Sequence, residues 1–402
     1  MKPTHNDPSL PPSSPQTPQE PTPKPPQHLG QLRRCIHWLG QGGWIIALLL
    51  VLTAGALIKD VIIPIMQGHI VHIVGDGKHV SSYGFNLQPL LVPRQELIAS
   101  GQCKNFLVAL RQPKVLDVAE VSAINRRLRD SGGFVVAASR VIGVVINGQA
   151  RAYPLQMLNW HGIANDTLGG DPIAVIYDGP CDSSLVASRV IDGKKLRFAE
   201  SGLVYNSNAL IYDHQQQAKN ESLWTSIGGR AISGPAAANH LTLHAMPCCV
   251  VPWGVWRKLH PNTTMIAGDP ALYDAYRKDP YGAYYFESGL LRYPVNPRWD
   301  RSIYRLKEPL LLLKLNGHWR PVAFADLLAH APPRDNPLAG RNGTLTVAGK
   351  RITYRCWVYP QSTTAMVLSP EHTPTTYCLL FAWYAQHPNE FAGAHWGVAT
   401  TP

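Results

Sequence analysis

Acidic side chains are scarce in this chain: 26 Asp and Glu stand against 37 Lys and Arg in 402 residues, leaving a net charge of +11. A basic excess invites a nucleic-acid reading. Yet the Lys and Arg residues are scattered, and no helix-turn-helix, RRM or zinc-finger pattern accompanies them, so no nucleic-acid partner is expected. The charge suits solubility, or attraction to anionic lipid or wall polymers. A P-loop and a dinucleotide-binding glycine fingerprint are also missing, which removes the motif basis for nucleotide or hydride chemistry. No Gly-x-Ser-x-Gly nucleophile elbow occurs, and Cys-x-x-Cys pairs are absent.

Two segments lack what a packed core needs. The first thirty residues are rich in Pro, Ser, Thr and Gln with almost nothing to bury, which predicts a disordered cytoplasmic tail over 1–34. Charge is then absent from Cys35 to Ile58, and Trp38 to Ile58 at about 1.5 Å per residue spans roughly one hydrocarbon thickness. Arg33 and Arg34 before it favour a cytoplasmic N-terminus, so a single transmembrane signal-anchor is expected at 35–60, with a linker at 61–84. Everything beyond then lies in the periplasm or another extracytoplasmic space, and the membrane is the expected partner. Ala54-Gly55-Ala56 also fits a signal-peptidase site, so a cleaved leader is the competing reading.

Seven cysteines are present, and export would put Cys103, Cys181, Cys248, Cys249, Cys356 and Cys378 where disulfides persist. Spacing does not choose among their pairings. Only the adjacent Cys248-Cys249 pair is disfavoured, by disulfide geometry.

The body carries an internal similarity. Val144 to Leu155 recurs in outline as Leu312 to Phe324, each a β-rich run, an Asn-Gly turn, a second short run and an apolar helical segment. Trp256-x-x-x-His260-Pro261-Asn262 recurs as Trp383-x-x-x-His387-Pro388-Asn389. A Trp and His four apart share a helix face, and proline stops the helix, so these histidines are expected as C-terminal caps. The alternation of apolar and polar residues from Leu203 to Tyr212 has the period of a two-faced strand. The expected fold is α+β, mainly β, with two related lobes at 85–300 and 301–402, and the site in the first.

Chemistry concentrates between Arg151 and Cys181, where a Trp-His pair, an Asn-Asp turn and a cysteine after Gly-Pro share one short span. The stretches Arg151-Ala152-Tyr153-Pro154, Leu158-Asn159-Trp160-His161, Asn165-Asp166 and Gly179-Pro180-Cys181 carry a resemblance. So do Ser201-Gly202-Leu203-Val204-Tyr205-Asn206-Ser207, Glu221-Ser222-Leu223-Trp224 and Asp279-Pro280-Tyr281-Gly282. Together they resemble the family of unknown function DUF3179, from about Phe85 to Phe391. Where that family has Glu after the motif histidine, this chain has Gly162. Its first motif cysteine is Asp178 here, and the glycine after its second is Asp182. The resemblance implies, through relatives with selenocysteine at the position of Cys181, redox chemistry there.

Candidate catalytic residues are Cys181 as a turn-raised thiol, His161 as its base and Asp178 as the accompanying anion. The same three form an N, O, S set acceptable to zinc or copper, with Asp178 expected to supply the charge lost at Gly162. Arg151, Tyr153, Asn165, Asp166, Tyr205, Asn206, Asp213, Glu221 and Trp224 are candidates to line the pocket of a small-molecule or envelope ligand. Each of them also has a turn, ion-pair or core role open to it. Three functions remain in view: a thiol-redox or metal-assisted enzyme, a non-catalytic ligand- or metal-binding ectodomain, and an envelope scaffold.

Overall fold

The computed structural model describes residues 74–391 except 130–131, 288, 300–303, 334–338 and 360–361, together with positions 45, 48, 52 and 53. The expected tail at 1–34 and most of the expected anchor at 35–60 lie outside these residues. Among the described residues no helix is long and apolar enough to cross a membrane.

Asp117 starts helix α1 (Val118–Arg127) with a reciprocal capping box, its carboxylate taking the Glu120 N–H while the Glu120 side chain accepts from the Asp117 N–H. Strands β1 (Arg140–Ile146) and β2 (Gln149–Pro154) follow, joined by Asn147 and Gly148 at φ 49° and 77°. Asn and Gly enter this left-handed region at least cost, so the pair fixes the hairpin and its register, Val144 opposite Arg151. Helix α2 (Leu155–His161) comes next and stops at Gly162, φ 64°. Three antiparallel strands continue the chain: β3 (Ile163–Leu168), β4 (Asp171–Asp178) and β5 (Ser183–Ser188). Strands β6 (Phe198–Tyr205) and β7 (Asn208–Asp213) belong to a separate five-stranded sheet, and β8 (Cys249–Pro252) runs into α3 (Trp253–Leu259).

The same order then returns. Hairpin β9 (Pro309–Leu315) and β10 (His318–Ala323) turns at Asn316 and Gly317, φ 51° and 80°, and leads into α4 (Phe324–Ala329). Strands β11 (Arg341–Val347), β12 (Lys350–Tyr359) and β13 (Ser362–Ser369) follow, then β14 (Thr375–Leu379) and α5 (Leu380–Gln386).

Strand pairing crosses the two series. Strands β1, β2 and β8 join β11, β12 and β13 in an eight-stranded sheet, whereas β9, β10 and β14 join β3, β4 and β5 in a seven-stranded one. Registers correspond: Pro252 faces Arg140 as Leu379 faces Pro309, and the crossing pairs are Val250 with Ala365 and Tyr377 with Ser184. The largest core cluster draws on both sheets, with Val141, Val144 and Tyr354 packed beside Val175, Val186 and Leu313. The division expected at residue 300 is therefore not a division in space: the described residues from Val74 on form one compact unit, because the eight-stranded and the seven-stranded sheet each take strands from both sides of that residue.

Four strands of the five-stranded sheet carrying β6 and β7 lie in sequence between β5 and β8, and its edge strand Leu97–Ala99 precedes α1; among the described residues the second series goes from β13 to β14 with no such sheet. The alternating run from Leu203 to Tyr212 is not one strand. It is the β6–β7 hairpin, broken at Asn206 and Ser207, φ 42° and 72°. His260 and His387 end α3 and α5, their rings lying on Trp256 and Trp383 at 4.1 and 3.6 Å between centroids. All six described cysteines are free thiols.

Candidate functional site

Strand β4 ends at Asp178, and Gly179-Pro180-Cys181 turns the chain through one 3-10 turn into β5. The Tyr281 ring covers this turn: a Cβ at position 179 would stand 2.2 Å from its Cε2, so glycine is what lets the ring approach. Opposite the turn, β6 carries a bulge between Glu200 and Val204, with Gly202 at φ 76°. Bulges re-aim side chains, and here the strand presents Glu200 to the turn. A cavity of about 60 Å³ separates the two, walled by Asp178, Glu200, Asn159, Tyr281, Arg292 and Tyr293 among others.

The two carboxyls differ in their surroundings. Asp178 accepts the Ala209 N–H at 2.8 Å and has the Cys181 thiol beside it; burial raises its pKa above the ordinary carboxyl value, and these hydrogen bonds offset only part of the rise. Glu200 has no hydrogen bond to its carboxyl among the described residues. Burial, then the charge of Asp178, pushes it up to about 8. Asp178 is thus the member that loses its proton first and Glu200 the member that keeps it longer. Burial also pushes the Tyr281 hydroxyl up to about 12, with both carboxylates adding to it and Arg292 opposing it.

Glu200 also accounts for Gly162. A Cβ on Gly162 would lie 2.2 Å from Glu200 Oε1, so the Glu200 carboxyl fills the space next to the position where the family has its glutamate. Asp178 was expected to replace the group lost at Gly162; the carboxyl next to that position is instead that of Glu200, from another strand. Asp182, the third departure, holds the left-handed φ of 44° that glycine would favour, and takes a two-pronged ion pair from Arg140 Nη2 at 2.9 and 3.0 Å.

Of the candidate catalytic, metal and ligand-binding residues named from sequence, Asp178 alone walls the cavity. Cys181 is fully buried directly behind it, its Sγ 3.3 Å from the Ser207 carbonyl oxygen. Burial, with Asp178 alongside, pushes this thiol well above its ordinary value, the opposite of the activated thiolate expected. His161 is not its base. Its Nδ1–H donates to the Val108 carbonyl at 2.8 Å, and its Nε2 accepts from the Tyr276 hydroxyl at 2.6 Å, which itself takes the Asp269 N–H. Both ring nitrogens are occupied, and His161, Asp178 and Cys181 are not brought together as the expected zinc or copper set. Among the described residues no group of three or more His, Cys, Asp or Glu is arranged to hold a metal ion.

The remaining candidates are architecture. Asp166 accepts from Arg151 Nη1 at 2.7 Å and from the Tyr153 hydroxyl at 2.8 Å, tying β2 to β3. Asn165 exchanges two 2.8 Å hydrogen bonds with the Phe198 backbone and so pins the start of β6. Asn206 clamps Asn296 and the Ala385 carbonyl, Asp213 accepts the Ser222 N–H, and Glu221 pairs with Lys104. Tyr205 and Trp224 are core.

The sequence reading missed Glu200, Asn159, Arg292 and Tyr293. Glu200 immediately precedes the Ser201-Gly202 stretch, and the available signal was an acidic residue beside a glycine in an otherwise apolar strand. A family model described as a protein of unknown function (DUF3179) matches residues 109–389. No curated protein and no solved structure matches the chain.

Proposed function

The chain belongs to the DUF3179 family of proteins of unknown function, and from that premise we propose that its cavity is an acid-base site. A small, uncharged polar ligand binds between Asp178 and Glu200 and exchanges a proton with Glu200. One observation carries this reading: Glu200 is a buried carboxyl on a cavity wall whose proton is held to about pH 8. A general acid or base works best when its pKa lies near the working pH, and two carboxyls in unlike surroundings divide the roles. Glu200 gives or takes the proton, Asp178 remains charged, and Arg292 offers the wall's cationic group to an electron-rich part of the ligand.

Ligand-observed NMR with a library of small amides, esters and polyols tests the site. Binders should be lost in both Asp178→Asn and Glu200→Gln, with affinity changing across pH 8. Binders indifferent to both substitutions, or none that this cavity accounts for, would sink the reading.

The body is further inferred to be exported behind an N-terminal anchor at 35–60. The uncharged stretch of one bilayer thickness after Arg33 and Arg34 supports this. A reporter fused after Pro402 should behave as exported and the chain should stay in the membrane fraction; a soluble form beginning at Leu57 would mark a cleaved leader instead. The matching order and registers of the two series support an origin by duplication, with the β6–β7 sheet inserted in the first copy.

A further inference from the structure

A second cavity, of about 360 Å³, opens between the loop that follows α1 and the exposed side of α3. Its volume is that of a small-ligand pocket. Asn125, Arg129, Val135, Val136, Trp253 and Arg257 line it, with Gly132 and Gly133 at its edge. The walls are well organised. The Asn125 carboxamide accepts from the Phe134 and Val135 N–H groups and donates to the Val135 carbonyl, and the first turn of α3 donates from Trp253 and Gly254 to Ser139 and Ala137.

Two guanidinium groups from different elements, Arg129 and Arg257, meet at this cavity. Neither has an ion-pair or hydrogen-bond partner among the described residues, and no acidic side chain is among the described lining. Helix ends attract basic residues for their own sake, which accounts for Arg126 and Arg127 in the last turn of α1 and applies to Lys258 and Arg257 in the last turn of α3. It does not require two arginines to face one concavity with a buried tryptophan in its lining. Paired planar forks match the oxygens of a phosphate, and the half-exposed Val136 beside them leaves an apolar margin.

We propose that this cavity is an anion site that takes a phosphate ester, gripped by Arg129 and Arg257, with the apolar part of the ligand against Val135, Val136 and Trp253. Such a phosphate reaches the cavity either as a soluble phosphorylated compound or as a phospholipid headgroup.

Calorimetric titration of the full chain in a non-ionic detergent at low salt decides between them. Three probes are compared: glycerol 1-phosphate, dihexanoyl phosphatidylglycerol and dihexanoyl phosphatidylcholine. Saturable binding of an anionic probe should weaken at least tenfold in Arg129→Gln and in Arg257→Gln, and Arg257→Lys should not restore it, because an ammonium lacks the fork. Glycerol 1-phosphate binding as tightly as the diacyl lipid identifies a soluble ligand; at least tenfold preference for the anionic lipid identifies a headgroup. No saturable binding of either anionic probe, or unchanged affinity in a correctly folded double variant, overturns the proposal.

Discussion

Burial without hydrogen-bond donors distinguishes Glu200 from Asp178, and the difference has a consequence for stability. An unfolded glutamate titrates near 4.5, whereas the folded one is pushed up to about 8. Between those values the folded chain keeps a proton that the unfolded chain releases. The stabilisation is therefore complete below about pH 4.5 and is lost as pH rises towards 8, by up to about 1.4 kcal/mol per unit. Glu200→Gln keeps the neutral shape and does not titrate. Scanning calorimetry should find the variant close to wild type near pH 4.5 and higher-melting at pH 8; a gap that does not vary with pH would mean that Glu200 is already ionised. Sequence did not reveal this residue, because an acidic residue in a strand reads as a solvent-facing position until the bulge and the Gly162 approach are known.

Elements differ in how far local sequence dictates them. The two Asn-Gly hairpins and the two histidine-terminated helices were legible, since turn φ values and helix stops depend on a few neighbouring residues. The β6–β7 hairpin was not, because Asn206-Ser207 falls within an unbroken alternation and takes its left-handed φ with Asn206 clamped to Asn296 and Ala385, residues far away in sequence. Asn165 plays a like part at the other end of β6, where Phe198 stands opposite Asp213 of β7 and the Asn165 carboxamide bonds the Phe198 N–H and carbonyl. Asn165→Ala deletes both hydrogen bonds to Phe198 and a longer one to the Leu110 carbonyl, leaving buried backbone groups unpaired at a cost of roughly 2–4 kcal/mol. Amide hydrogen exchange should accelerate from Phe198 to Glu200 ahead of the rest of the sheet. Exchange unchanged there would show that β6 is positioned by its strand partners alone.

At the scale of the whole molecule, the crossing of the two strand series means that neither the eight-stranded nor the seven-stranded sheet is complete without strands from both halves. Residues 301–402 expressed alone should therefore remain unfolded by circular dichroism, and the described body should melt in one transition; a folded second half would contradict the interleaving. This arrangement was illegible in the sequence because it depends on which three-stranded unit pairs with which hairpin, a long-range choice that local patterning does not encode. The same interleaving places the site at the join between the shared core and the β6–β7 sheet, where β4 delivers Asp178 and β6 delivers Glu200 to one cavity. The proton shared across that join is most directly observed by carboxyl NMR of the intact chain carrying ¹³Cδ-glutamate, with Glu200→Gln to assign the resonance. Glu200 should titrate near pH 8 and fall in Asp178→Asn, as removal of the neighbouring charge requires. A Glu200 resonance titrating near 4.5, indifferent to Asp178, would contradict the acid-base site.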